Sequence, residues 1–218
     1  MKNPRTVFLI AVLSLLSMGG ASCSGTTPAW DASSPSRVQE NKDAGKSAKL
    51  PAGVDIYATT DAGHGQLCKA GAKSDQDGMN ERPVVYLSKA TGGFAWHVQL
   101  RIPKDMYQGR ATHCVASGNQ LYVLIQIDTQ SQQTSSQTLL QVVELNRATG
   151  AVMAMRDIQV SGVSAAYSAW VDEGGDRFKL DENKLVIKGS YELLSDRDNS
   201  PGKEPTSFTV EVPENLHP

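Results

Sequence analysis

From residue 84 onward the chain alternates between short apolar runs and polar stretches punctuated by Gly, Asn, Asp and Pro. Val84 to Leu87, Phe94 to Leu100, Leu121 to Ile127 and Leu139 to Leu145 are rich in β-branched and aromatic residues, and Lys184 to Leu194 and Ser207 to Val212 continue the series. Runs of this length and composition predict strands, and no stretch has the spacing of a long helix. The residues between them carry turn chemistry: Ser117-Gly118-Asn119-Gln120, Asn146-Arg147-Ala148-Thr149-Gly150 and Asp181-Glu182-Asn183 each precede or join strands. An all-β antiparallel meander is therefore expected.

Within that series the sequence repeats itself. Val84-Val85-Tyr86-Leu87-Ser88-Lys89-Ala90-Thr91-Gly92 matches Val142-Val143-Glu144-Leu145-Asn146-Arg147-Ala148-Thr149-Gly150, and Asn119 to Val123 more weakly matches Asn183 to Ile187. Each copy of the first echo reads as strand, Ala-Thr-Gly turn, strand. The pattern resembles the blades of pyrroloquinoline-quinone-type β-propellers, in which such a turn is followed by Trp. Trp96 fills that place in the first copy, and Ala154 stands there in the second. The 165 residues from 51 to 215 supply three such units, short of the four blades a closed propeller needs. The expectation is a partial propeller-like array or a β-sandwich, without a closed ring and without a cofactor.

The N-terminus differs in kind. Lys2 and Arg5 precede an apolar stretch, Val7 to Leu16, and the small residues Gly19-Gly20-Ala21-Ser22 lead into Cys23. About ten apolar residues are too few to cross a bilayer, which takes roughly twenty, so residues 1–22 read as a secretory signal. The segment resembles the lipobox of bacterial lipoproteins, which implies a lipid on Cys23, although Gly20 stands where that motif usually has Leu. A cut after Ala21, with Cys23 an ordinary residue, is the alternative. Residues 23–50 are rich in Ser, Thr, Ala, Pro, Lys and Asp, with Trp30 the one large aromatic, and read as a flexible tether to a single domain at 51–215. Ser24 follows the cysteine where many lipoproteins retained at the inner membrane have Asp; the resemblance thus implies an outer-membrane lipoprotein facing the periplasm.

Export shapes the reading of the other two cysteines. Cys68 and Cys114 form an even pair in an oxidising compartment, and a disulfide is the simplest outcome. His64 and His113 lie close to them in sequence, so a zinc site of two His and two Cys is the competing reading, against which stands the adjacency of His113 and Cys114. The whole chain carries 21 basic and 23 acidic residues; losing Lys2 and Arg5 leaves 19 basic against 23 acidic, a formal charge of −4. That balance excludes an electrostatic footprint for nucleic acid. No basic run marks a site for anionic lipids, so the expected link to the membrane is the acyl anchor.

Catalytic signatures are missing from the sequence: no nucleophile elbow, zincin helix, phosphate loop or dinucleotide fingerprint occurs. Two polar segments, Thr129 to Thr138 and Ser195 to Pro205, occupy matching places between strands and read as long hairpin loops. Loops on a rigid β scaffold form recognition surfaces, which makes Asp172, Glu173, Asp196, Arg197 and Asp198 the candidate partner-binding residues. The organisation is similar to that of small lipoproteins that neutralise type VI lipase effectors, and the resemblance implies an immunity protein whose partner is a cognate toxin. Two alternatives remain: an envelope-assembly scaffold similar to the propeller lipoprotein of the barrel-assembly machinery, and a metal-dependent hydrolase built on His64 and His113.

Overall fold

A computed structural model describes residues 50–78, 80–129, 136–199 and 202–216. Residues 1–49, which hold the expected signal, Cys23 and all but the last residue of the expected tether, lie outside them. Three antiparallel sheets follow one another along the chain. The first runs β1 (Val54–Gly63), β2 (Gln66–Ser74), β3 (Glu81–Ser88), β4 (Phe94–Gln99), and the second runs β5 (Met106–Ser117), β6 (Gln120–Thr129), β7 (Thr138–Asn146), β8 (Val152–Ile158). In the third, β9 (Tyr167–Trp170) and β10 (Phe178–Asp181) share one edge of β11 (Lys184–Leu193), and β12 (Thr206–Pro213) takes the other. The all-β expectation holds, and the only helix among the described residues is α1 (Leu194–Asn199), in a segment expected to be loop.

Burial explains why β6 reads as a continuous apolar run. Leu121, Val123, Ile125 and Ile127 point into a core shared with the first sheet, while Tyr122 and Leu124 point into a second core shared with the third. Both faces of β6 and β7 are covered, so both parities of these central strands are apolar. β12 is covered on one face only, and its buried residues alternate, Phe208 and Val212 against exposed Thr209 and Glu211.

The sequence echo corresponds to the β3–β4 and β7–β8 hairpins, and the two copies face each other. Val85 and Leu87 of the first and Val143 and Leu145 of the second lie in the same core. The equivalent faces of the two hairpins therefore meet across this core. The Trp96 ring lies against Gly150, where a Cβ would stand 2.8 Å from it, and its Nε1 donates to the Arg147 carbonyl at 2.8 Å. Gly150 also has φ of 73°, open to glycine at little cost. The reciprocal contact is missing. Ala154 replaces Trp, and Gly92, the counterpart of Gly150, has no atom within 4 Å of a built Cβ.

Two further links clamp the first sheet to the second. Cys68 on β2 and Cys114 on β5 form the expected disulfide, with their Cα atoms 6.4 Å apart. Near the start of β3, the Tyr57 hydroxyl donates to Glu81 at 2.9 Å, Arg110 bridges Glu81 at 3.7 Å and Asp128 at 3.2 Å, and Gln108 and Thr138 donate to Asp128. Burial, and then the hydrogen bond to Glu81, push the Tyr57 hydroxyl up to about 12, so it stays a donor at neutral pH. These ion pairs are partly solvated and contribute on the order of 1 kcal/mol or less each; their effect is to fix orientation.

Candidate functional site

The third sheet carries the expected partner-binding residues, because its first edge is broken. β9 ends at Trp170 and β10 begins at Phe178, and residues 171–177 leave the sheet between them. Asp172 and Glu173 are exposed on this excursion. At the opposite end of β9, three connections converge. Gln137, leaving the β6–β7 loop, donates through Nε2 to the Tyr167 carbonyl at 2.9 Å; the Thr138 amide donates to Ser168 Oγ; and the Leu194 amide at the start of α1 donates to the Ala166 carbonyl. Asp196, in the first turn of α1, pairs with Lys203 at 2.9 Å. Gln137, Thr138 and Leu194 are thus tied to residues 166–168, and Asp172 and Glu173 lie at the other end of a four-residue strand. The side chains of Arg197 and Asp198 lie outside the described residues.

The excursion is held from beneath by buried polar groups. Gln126 Nε2 donates to the Val171 carbonyl at 2.9 Å and to Thr112 Oγ1 at 3.2 Å. His113 Nε2 lies 3.1 Å from the Asp172 carbonyl, which can only accept, so Nε2 carries the proton and Nδ1 accepts from the Thr112 hydroxyl at 3.1 Å. His113 is 4 % exposed and meets Phe178 edge-on, and burial lowers its pKa against the smaller raising effect of the Asp172 carbonyl. The sign follows directly. The folded chain binds fewer protons than the unfolded chain below the ordinary value of 6.5, so stability is lost as pH falls from 6.5 towards the folded pKa. His97, lowered by burial and then by Lys73, adds a slope of the same sign. Urea unfolding between pH 7.5 and 5 is expected to show a falling midpoint, and a shallower fall in His113→Gln; an equal fall in both would remove His113 from the cause.

A second feature was invisible in sequence. Arg82, Gln99, Leu100, Arg101, Ile102, Pro103, Lys104 and Met106 line a groove of about 480 Å³ where the first sheet passes into β5. Arg82 is positioned by donating through Nη1 to the Tyr107 carbonyl at 2.8 Å and the Glu81 carbonyl at 3.2 Å. Arg101 and Lys104 are exposed, and Leu100 forms an apolar floor at 2 % exposure. Among the described residues no carboxylate forms an ion pair with Arg82, Arg101, Lys104 or the neighbouring Lys73.

The residues of the metal alternative are not assembled as ligands. Cys68 and Cys114 are bonded to each other, His64 sits exposed in the β1–β2 turn with φ of 55°, and His113 uses both ring nitrogens within the protein. Among the described residues no three His, Cys, Asp or Glu side chains stand together as a metal would require. Buried Glu144 accepts from Gln120, which in turn accepts from the Tyr122 hydroxyl at 3.0 Å. No family model matches the chain, and no curated protein sequence matches it.

Proposed function

We propose that this protein is a lipid-anchored protein of the bacterial envelope that acts by binding another protein, and that its specific role is immunity: stoichiometric occlusion of a secreted toxin. The observation that carries the reading is the convergence of the end of the β6–β7 connection, the approach to β9 and the start of α1 at one end of β9, on a sheet that shares a buried core with the second sheet. Three hydrogen bonds to residues 166–168 fix Gln137, Thr138 and Leu194 where they are, and a recognition surface gains affinity from such ordering before contact. The excursion at 171–177, tied to Gln126 and His113, is a second ordered element on the same sheet and presents acidic side chains to a basic partner. The lipobox-like segment and the tether supply the expected location, the periplasmic face of the outer membrane.

A pull-down from envelope and secreted fractions, with the chain from Cys23 to the C-terminus, tests this. Capture of one partner, weakened at least about tenfold by Asp172→Lys with Glu173→Lys at unchanged melting temperature, is the expected result, in line with the loss of a few central interface contacts. Protection of cells against toxin-armed siblings should fall in parallel. Equal survival with and without the gene, across the neighbouring toxin genes, would overturn immunity.

A further inference from the structure

The chain enters its first sheet beside the basic groove. Val54 at the start of β1 pairs with Lys73 on β2, and Lys73 pairs with Arg82 on β3, so two cations lie in one row near the end of the sheet at which residue 50 enters, one row in from Ser74 and Glu81. Arg101 and Lys104, on the connection that follows β4, complete the groove around Arg82. Four cations thus gather from three separate stretches of sequence, at the end from which the tether leaves.

We propose that this groove is a docking site for the phosphate headgroups of an anionic lipid surface, which seats the domain on the membrane to which the tether binds it. Arg82 presents a guanidinium already oriented by two backbone carbonyls, and such a planar fork matches phosphate oxygens. Arg101 and Lys104 are exposed and bring further charge, while Leu100, Ile102 and Met106 accept the apolar part of a headgroup's glycerol region. An isolated tether holds the domain on the order of 30 Å from the membrane on average, so the end at residue 50 is the one that meets lipid most often. Each basic residue near an anionic surface contributes about fivefold in partition. The acyl anchor supplies the residence, and the groove supplies the orientation.

The inference rests on the lipid-anchor reading for its biological setting, and the test is independent of it. The processed chain, residues 23–218 with Cys23→Ser and therefore unacylated, is floated with vesicles of phosphatidylcholine alone or with one third phosphatidylglycerol. Binding to the anionic vesicles alone, lost at high salt, is expected. Arg101→Glu with Lys104→Glu should lower the partition by at least about tenfold, while Lys179→Glu with Lys184→Glu on the third sheet should leave it near the wild-type value. Both pairs contain exposed residues, and unchanged melting temperatures would show that the variants fold. No binding to anionic vesicles, or equal binding by the groove variant, overturns the proposal. Groove-dependent binding of polyglutamate without vesicle binding overturns it in favour of an acidic protein segment. Fractionation of cells expressing Cys23→Ser separately tests the anchor, so failure of one reading does not imply failure of the other.

Discussion

Removing the Cys68–Cys114 bridge is expected to lower stability by about 2–5 kcal/mol, a large share of what a domain of this size possesses. The two cysteines are 46 residues apart in sequence, and closing a loop of that length in the unfolded chain contributes about 4 kcal/mol by chain entropy. The position of the bridge adds to the effect. It joins β2 of the first sheet to β5 of the second, and both cysteines are almost fully buried in the core these sheets share. Without it, what holds the first two sheets together is the apolar core, the Trp96 contact, the partly solvated Glu81–Arg110–Asp128 group and the hydrogen bonds of Arg82 to Tyr107 and Arg147 to Ala62. Urea unfolding of the oxidised protein, the reduced protein and Cys68→Ala with Cys114→Ala checks this. Reduced protein and double variant should unfold together, well before the oxidised form. Superimposed curves for all three, or two reactive thiols in the unreduced denatured chain, would contradict the bridge.

The strands that could be read directly from the sequence are those in which burial and composition agree. β6 and β7 lie inside the stack, so their Val, Leu and Ile runs stand out, and the echo located the β3–β4 and β7–β8 turns because Asn146 and the Thr-Gly pair are held there by local hydrogen bonds. β1, β2 and β5 carry the opposite signature. Thr, Ala, Gly, Lys and His fill them because their backbones come close to other chain segments, at Gly71 beside Asp55 and at Gly109 beside Ile102, and each of β1 and β5 is bulged. α1 was hidden in a polar segment, SDRDNSPGKEP, whose composition suits a loop. Asp172 and Glu173 read as solvated acids in a turn, and both are exposed. Sequence gave no sign that His113 and Gln126 anchor that excursion, because these residues lie on β5 and β6, more than forty positions away. The basic groove was missed for the same reason. Its cations, Arg82 on β3 and Arg101 and Lys104 after β4, lie in separate segments of mixed charge, and only the crossing from β4 to β5 brings them together.

Gly71→Ala is expected to cost at least about 3 kcal/mol, unusually much for the addition of one methyl group to a strand. Gly71 lies in the interior of β2, paired with Ile56 on β1 and Val84 on β3. A Cβ there would stand 2.0 Å from the Asp55 carbonyl oxygen, 3.0 Å from its carbon and 3.1 Å from the Ile56 Cα. All three are backbone atoms, so no side-chain rotation relieves the clash, and the start of β1 must move away from β2. The displacement would disturb the register on the N-terminal side of the bulge at Ile56 and Ala58, and with it the Ser74 amide bond to the Gly53 carbonyl and the Tyr57 bond to Glu81. The damage should be local in the first instance. Amide exchange is expected to rise at residues 54–57 and 71–74 while β6 and β7, inside the stack, keep their protection. Gly118→Ala serves as the comparison, because that glycine has a positive φ, unlike Gly71, but nothing within 4 Å of a built Cβ, and its cost should stay near 1 kcal/mol. Equal stability of Gly71→Ala and wild type would mean that β1 does not lie against β2 at this point.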